Sequence, residues 1–163
     1  MLLRQADFHA YISGMNLTWY SYSWEDLPKD DLLDCLELRI NIFVVEQECP
    51  YPEIDGKDRK SWHYYAKDGD AIACYIRIVP AGLSYDEISI GRVIVADSYR
   101  GRELGYLLMK NGIKLIEDKW GRQPIKIGAQ LYLKNFYENI GFKQTSKMYL
   151  EDDIPHIGML YTP

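Results

Sequence analysis

The stretch that decides the fold reads Ile90-Gly91-Arg92-Val93-Ile94-Val95-Ala96-Asp97-Ser98-Tyr99-Arg100-Gly101-Arg102-Glu103-Leu104-Gly105-Tyr106-Leu107-Leu108-Met109. An apolar, β-branched run predicts a strand, and a short polar turn separates it from a run with apolar residues at helical spacing. The turn therefore places the free N–H groups of a helix N-terminus directly after a strand. A helix N-terminus carries about half a positive charge, which favours phosphate oxygens. We expect a phosphate-bearing small molecule to bind here.

Two arginines and two glycines make this turn suitable for a pyrophosphate. Arg100 and Arg102 add full positive charges, while Gly101 and Gly105 allow backbone and ligand to approach closely. The turn is not a Walker loop, because no Gly-Lys-Ser/Thr follows it. It is not a dinucleotide-binding fingerprint either, because its glycines fall in a different register.

The composition is that of an ordinary globular domain. The chain has 163 residues, of which 47% are hydrophobic and 26% charged, and its net charge is −5. An acidic chain of this kind argues against a nucleic-acid partner. No apolar run reaches the length of a membrane span, so we expect no membrane partner. Three widely spaced cysteines without metal-ligand spacing predict reduced thiols, a cytoplasmic location and no metal.

The alternation of element types predicts the α+β class. Strands are expected at 17–22, 62–67, 71–79, 87–96, 125–129, 142–150 and 157–161. Helices are expected from a cap at Asp30 or Asp31 to about Glu46, from Arg100 to about Lys119, and over 131–139 with Gly141 as C-cap. Residues 1–14 are expected to be a leader or upstream extension outside the core, and residues 15–163 a single domain.

A second stretch, Asn135-Phe136-Tyr137-Glu138-Asn139-Ile140-Gly141-Phe142, follows the first after a short strand. Together the two resemble the GNAT superfamily of N-acetyltransferases, which transfer an acyl group from acyl-coenzyme A. The blocks 39–47, 49–51, 55–56 and 151–157 are similar to its ElaA-like branch, and the resemblance covers roughly residues 15–163. It implies the GNAT fold, a mixed and mostly antiparallel central sheet flanked by α-helices.

The resemblance implies acetyl-coenzyme A as the acyl-donor co-substrate and assigns its binding residues. A backbone N–H of the 93–95 strand would polarise the thioester carbonyl, and Gln130 stands where relatives often carry an Asn that contacts the coenzyme. The implied coenzyme-binding residues are Val93, Ile94, Val95, Arg100, Gly101, Arg102, Glu103, Leu104, Gly105 and Gln130. The sequence departs from the family pattern at Glu103, where a Gly is usual. We expect the Glu103 carboxylate to point to solvent, since facing inward it would repel a pyrophosphate.

The catalytic candidates are Tyr137 and Glu87. Tyr137 lies within the family segment and carries a hydroxyl that can protonate a leaving thiolate, so it is the candidate general acid. Glu87 is the candidate general base, and Ser89, Glu46 and His63 are further candidates. A water chain can also serve as base in this superfamily.

The candidate acceptor-binding residues are Arg39, Glu46 and His63. Arg39 lies among apolar neighbours, where a charge must find a partner. It either forms an internal ion pair with Glu46 or Asp55, or it forms a wall of the acceptor pocket. His63 and His156 are each also explained as structural histidines, and Arg92 is an additional site candidate.

The resulting hypothesis is an acyl-coenzyme A-dependent N-acyltransferase. It would transfer an acetyl group to a primary amine of a small molecule or peptide by direct attack in a ternary complex. One alternative is an enzyme like the acyl-homoserine-lactone synthases, to which Arg39, Phe43, Glu53, Asp55 and Asp58 are similar in spacing. Another is a non-catalytic coenzyme A-binding or interaction module. The 14 tyrosines and 4 tryptophans are compatible with a homodimer interface, an aromatic core or a pocket wall.

Overall fold

One sheet of nine strands forms the centre of residues 9–12 and 15–163, the part of the chain that the computed structural model describes. The strands are β1 (His9–Ile12), β2 (Met15–Ser23), β3 (Trp62–Asp68), β4 (Ala71–Val79), β5 (Ile88–Val95), β6 (Ile125–Gln130), β7 (Phe142–Gln144), β8 (Tyr149–Glu151) and β9 (Ile154–Tyr161). Their order is β1-β2-β3-β4-β5-β6-β9-β7, and β8 also pairs with β9. Within these residues β5 and β6 run parallel, and the other pairs are antiparallel.

Three α-helices occur in the described chain: α1 (Lys29–Ile40), α2 (Leu104–Trp120) and α3 (Lys134–Ile140). α1 continues directly into a π-helical segment, Asn41–Glu46. Such segments are rare and frequently lie at functional sites. Short 3-10 turns occupy Asp58–Lys60, Asp97–Tyr99 and Leu131–Leu133.

Alternation along the strands supplies two cores, one on each face of the sheet. On one face, Tyr64 and Ile76 belong to a large cluster that includes residues of α2 and α3. On the other face, Tyr65 and Tyr75 pack in a smaller cluster with Cys35 of α1. α2 lies very close to β4, because a Cβ added at Gly112 would collide with the side chain of Ile76.

The α+β class is confirmed, but two local predictions are wrong. α1 begins at Lys29 with Pro28 as N-cap, so neither Asp30 nor Asp31 caps it. Instead the Asp31 carboxylate accepts hydrogen bonds from the Tyr65 hydroxyl and from Lys67 Nζ, the latter at 2.8 Å. These partners on β3 tie the first turn of the helix to the sheet.

The C-terminal region holds three strands where two were expected. The 142–150 segment is divided into β7 and β8, and both pair with β9. β8 and β9 are joined by a two-residue turn in which Asp152 and Asp153 have φ of 47° and 62°. Positive φ at both positions is the pattern of a type I′ hairpin turn.

The N-terminal prediction falls partly outside the described residues. The backbone of β1, which lies within 1–14, pairs with β2 at the edge of the sheet. The division into a leader and a 15–163 domain stays a prediction. In the chain as described, no helix is long and apolar enough to cross a membrane.

Candidate active site

The sheet opens between its two parallel strands. In the described chain, β5 and β6 pair at Ile88 with Ile125 and at Ser89 with Lys126. Beyond these pairs β5 continues along β4 as far as Val95, while β6 stays with β9 as far as Gln130. The two strands therefore diverge, and the backbone of residues 91–95 borders the opening.

A β-bulge lies on β5 beside this opening. The register between β4 and β5 shifts between Tyr75 and Arg77, and Arg92 on the opposite strand has a φ of 55°. An extra residue of this kind bends a strand and re-aims its side chains. The bulge accordingly places Arg92 on the α1 face, with its guanidinium carbon 5.9 Å from the centre of the Phe43 ring.

The loop that follows β5 leads to the N-terminus of α2. Gly101 and Glu103 have φ of 74° and 59°, in the left-handed region that glycine adopts most easily. The Leu107 N–H donates to the Glu103 carbonyl at 3.1 Å, so the N–H groups before it belong to the unpaired first turn. Arg102 and Glu103 are exposed, as expected for the Glu103 carboxylate, whereas Leu104 is buried. The family pattern usually has a glycine at position 103, and Glu103 therefore stands in a conformation that suits glycine.

Arg100 joins this loop to the end of the π-helical segment. Its terminal nitrogens pair with both carboxylate oxygens of Glu46 at 2.9 and 3.0 Å, and its Nε donates to the Val95 carbonyl at 3.2 Å. The pair is solvent-exposed, with 40% of the Arg100 and 48% of the Glu46 side chain accessible. The hydrogen bond from Arg100 lowers the pKa of the Glu46 carboxyl from its ordinary value.

Gln130 makes the corresponding contact from the other diverging strand. Its Nε2 donates to Oε1 of Gln47 at 3.2 Å, which joins the end of β6 to the residue after the π-helical segment. Two adjacent residues, Glu46 and Gln47, thus contact the loop that follows β5 and the end of β6, one on each side of the opening. We call this pair of residues the strap.

Tyr137 lies on α3, which packs against the first turn of α2. A Cβ added at Gly105 of α2 would lie 3.6 Å from the ring of Phe136. The Tyr137 ring makes edge contacts with Phe136 and Phe142, with centroids 5.0 and 5.9 Å away. Burial raises the pKa of the Tyr137 hydroxyl, so it stays protonated at neutral pH.

Glu87 and Ser89 lie at the other end of β5. Glu87 precedes the strand, and Ser89 is buried at the second β5–β6 pair. Glu87 therefore lies at the end of β5 away from residues 91–95. Its role as general base stays a prediction.

Arg39 is fully buried and belongs to an ionic network rather than to an open pocket wall. Its Nε pairs with Glu53 Oε1 and its Nη1 with Asp58 Oδ1, both at 2.6 Å. The expected partners Glu46 and Asp55 were wrong. The observed partners, Glu53 and Asp58, lie on either side of Asp55 in the chain between α1 and β3. The interpretation of Arg39 as a pocket wall is corrected, because its side chain has no exposed surface.

The network continues through two more arginines. Arg77 of β4 binds both carboxylate oxygens of Asp55 at 2.8 Å and approaches Asp58 Oδ1 at 3.1 Å. Arg92 Nε lies 2.6 Å from Glu53 Oε2, an oxygen that also accepts a 2.6 Å hydrogen bond from the Tyr51 hydroxyl. Burial would raise the pKa of Asp55, but the hydrogen bonds from Arg77 and the Lys57 N–H, together with the charges of Arg77 and Arg92, outweigh it and the pKa falls to about 2.

His63 is buried beside this network. One ring nitrogen lies 2.8 Å from the Tyr75 hydroxyl and the other 3.0 Å from the Asp58 carbonyl. Burial lowers the pKa of His63, which favours a neutral ring that is already partnered on both sides. The interpretation of His63 as a structural histidine is the one that this geometry supports. His156 likewise bonds locally, to the Ile154 carbonyl at 2.7 Å.

The sequence analysis missed Arg77 and Tyr51 as members of this region. Arg77 carried a usable signal, because a charged residue within the apolar strand 71–79 must be paired when it is buried. Tyr51 carried none beyond its place in a loop with two prolines. The hydrogen bond from Tyr51 to Glu53 depends on the fold of the whole loop.

Two parallel strands thus diverge directly before the N-terminus of α2, where unpaired backbone N–H groups favour anions. The family model of the acetyltransferase (GNAT) domain matches residues 35–163. The chain is 37% identical over 145 residues to the protein ElaA of Escherichia coli, covering 88% of this chain and 95% of that protein. The chain belongs to the GNAT acetyltransferase family and is ElaA-like.

Solved structures support the same assignment. An acyl-CoA N-acyltransferase from Pseudomonas aeruginosa superposes with a TM-score of 0.86 at 36% identity, covering 90% of this chain and all of that one. The coenzyme A-dependent acyl-homoserine lactone synthase BjaI superposes with a TM-score of 0.74 at 16% identity, covering 89% of this chain and 82% of that one. The second likeness shows a shared fold alone. Arg39, Glu53, Asp55 and Asp58, which had suggested the synthase, form the buried ionic network here.

Proposed function

We propose that this protein transfers an acetyl group from acetyl-coenzyme A to a primary amine of a small molecule or peptide. The observation that carries the proposal is the divergence of β5 from β6 directly before the N-terminus of α2. The opening offers unpaired strand backbone for a pantetheine chain, and the helix N-terminus beyond it offers N–H groups for a pyrophosphate.

The donor-binding residues divide by the part of the coenzyme that each would hold. The N–H groups of the first turn of α2, with Arg100 and Arg102, would bind the pyrophosphate. Backbone N–H groups of the 93–95 segment would bind the pantetheine chain and polarise the thioester carbonyl. Gln130 would contact the pantetheine from the opposite strand.

Transfer would proceed by direct attack. The amine nitrogen bonds to the thioester carbon, and the carbonyl oxygen takes up negative charge next to the β5 backbone N–H groups. Collapse of the tetrahedral intermediate forms the amide bond and breaks the carbon–sulfur bond. Tyr137 would give its hydroxyl proton to the departing thiolate, and the proton lost by the amine would leave through water.

A steady-state assay of coenzyme A release tests this function directly. Acetyl-coenzyme A is offered with a panel of amino acids, polyamines and lysine peptides, and acetylated products are identified by mass spectrometry. Tyr137→Phe keeps the ring packing but removes the hydroxyl, so kcat should fall about 100-fold while KM stays nearly constant. Tyr132→Phe, at an exposed tyrosine close to Tyr137 in sequence, is the matched control and should keep full activity.

Two results would count against the proposal. Binding of acetyl-coenzyme A without transfer to any amine in the panel favours the non-catalytic module. Full activity of Tyr137→Phe removes the assigned general acid but leaves the reaction. The cytoplasmic location and the homodimer stay predictions.

A further inference from the structure

We propose that the strap, Glu46 and Gln47, sets the affinity for the acyl donor by competing with it for Arg100 and Gln130. The inference rests on the proposed function, because it concerns residues assigned there to the donor. It concerns two further residues that lie outside the phosphate-binding loop and outside the strand backbone.

Each of the three guanidinium nitrogens of Arg100 already has an acceptor. Both terminal nitrogens contact the Glu46 carboxylate, Nη1 also lies 3.4 Å from Asp97 Oδ1, and Nε donates to the Val95 carbonyl. A guanidinium forms its two parallel bonds with one planar anion at a time. Arg100 must therefore leave Glu46 before it can hold a pyrophosphate in the same way.

Gln130 stands in the same relation to Gln47. Its amide nitrogen donates to the Gln47 side-chain oxygen across the mouth of the opening. A pantetheine amide carbonyl offers the same kind of acceptor. Entry of the donor therefore exchanges one amide partner for another at the Gln130 nitrogen.

The exchange at Arg100 is energetically accessible because its ion pair with Glu46 is weak. An exposed ion pair contributes about 0–1 kcal/mol, and the Glu46–Arg100 pair is close to half exposed on both sides. A pyrophosphate carries more charge than a carboxylate, and the helix N-terminus binds it as well. The donor therefore displaces Glu46. Its measured affinity is its affinity for a free Arg100, reduced by the cost of breaking the Glu46–Arg100 pair.

The strap adjoins the π-helical segment. Asn41–Glu46 forms i→i+5 hydrogen bonds, a less common arrangement than the α-helix from which it continues, and one that is frequent at functional sites. Glu46 is the last residue of this segment and Gln47 follows it.

Titration calorimetry with coenzyme A tests the competition. Glu46→Gln removes the carboxylate charge with little change of shape, and we expect it to bind coenzyme A about three- to fivefold more tightly than the parent protein. Asp97→Asn is the matched control, since it removes the same charge from the other acidic neighbour of Arg100. It should change the affinity by less than about twofold, because Asp97 contacts one nitrogen at 3.4 Å.

Binding of pantetheine tests the contributions of Glu46 and Gln47 separately. It lacks the pyrophosphate, so Glu46→Gln should leave its affinity unchanged, whereas Gln47→Ala should tighten both pantetheine and coenzyme A. Tightening of pantetheine by Glu46→Gln would overturn the assigned competition at Arg100.

The remaining outcomes distinguish this proposal from the proposed function. Equal or weaker coenzyme A binding by Glu46→Gln, with normal binding by the parent, overturns the competition and leaves the function intact. An equal effect of Asp97→Asn shows general charge removal and also overturns it. If neither the parent nor any variant binds coenzyme A, the proposed function fails and this proposal fails with it.

Discussion

Two sets of guanidinium–carboxylate pairs occur in this molecule, and their surroundings give them different roles. Arg39, Glu53 and Asp58 are buried and are partnered by other members of the ionic network. Arg100 and Glu46 form an equally regular pair that is 40% and 48% exposed. Breaking a buried pair leaves a charge without water, whereas an exposed pair can exchange partners at little cost. The network therefore holds the loop after α1 in place, and the exposed pair is available to a ligand.

The largest expected effect comes from breaking the network at its centre. Arg39→Met leaves the Glu53 and Asp58 carboxylates buried with less positive charge beside them. We expect the free energy of unfolding to fall by about 3–5 kcal/mol, measured by denaturant titration. A loss below about 1 kcal/mol would show that the network is no more structural than a surface pair.

The next largest effect is expected from acidification, which should destabilise the protein through the ionic network. The unfolded chain protonates an Asp near pH 3.9, whereas Asp55 in the folded protein keeps its charge to a pKa of about 2. The unfolded state therefore binds more protons between these values, and stability falls as the pH drops from about 4 toward 2. The hydrogen bond from Arg39 also lowers the pKa of Asp58, despite the opposing effect of burial, so Asp58 adds to this loss.

Asp55→Asn tests the assignment of this acid sensitivity. The variant should start from a lower stability at neutral pH and lose less of it on acidification. Thermal melting at a series of pH values from 2 to 7 measures both. An unchanged slope in Asp55→Asn would place the acid sensitivity elsewhere in the protein.

Arg92 and Glu103 both have a left-handed backbone conformation, but substitution by glycine should change the stability of the protein in opposite directions at the two positions. Arg92 has a φ of 55° and is held by Glu53, so Arg92→Gly should cost about 1–3 kcal/mol of stability despite the relaxed backbone. Glu103 has a φ of 59° and an exposed side chain, so Glu103→Gly should gain about 0.5–1 kcal/mol. Paired denaturant titrations measure both, and destabilisation by Glu103→Gly would contradict the strain assigned there.

The smallest stability effect is expected at the exposed pair. Arg100→Met makes the same substitution as Arg39→Met but should change the free energy of unfolding by less than about 1 kcal/mol. The same variant should weaken coenzyme A binding clearly, because it removes the assigned pyrophosphate contact. A large loss of stability in Arg100→Met would show that the exposed pair is as structural as the buried network.

Much of the fold could be predicted from the sequence because its signals are local. The strand over 71–79, the C-cap at Gly141 and the strand–turn–helix order after Ile88 each depend on neighbouring residues. The start of α1 was missed for the opposite reason. Asp31 is a good cap by residue type, but Tyr65 and Lys67 on a distant strand bind it instead.

The candidate site was predictable in part. The family resemblance assigned the 100–105 loop to the donor, and the structure places this loop beside the diverging strands. The partners of Arg39 were not predictable, since a buried charge requires some partner but the sequence does not say which acid folds toward it. The position of Glu87 relative to the opening was not predictable either, because the sequence of a strand does not say which of its ends borders the opening.

The sequence by itself determined the α+β class, the order of the elements and the loop suited to phosphate, because periodicity, turn residues and helix N-termini act over a few residues. Only the tertiary structure decided that three arginines and three carboxylates form one buried network and that Glu46 and Gln47 contact the loop after β5 and the end of β6. Contacts of this kind join residues far apart in the chain. Their geometry follows from packing and desolvation of the whole domain rather than from any local preference.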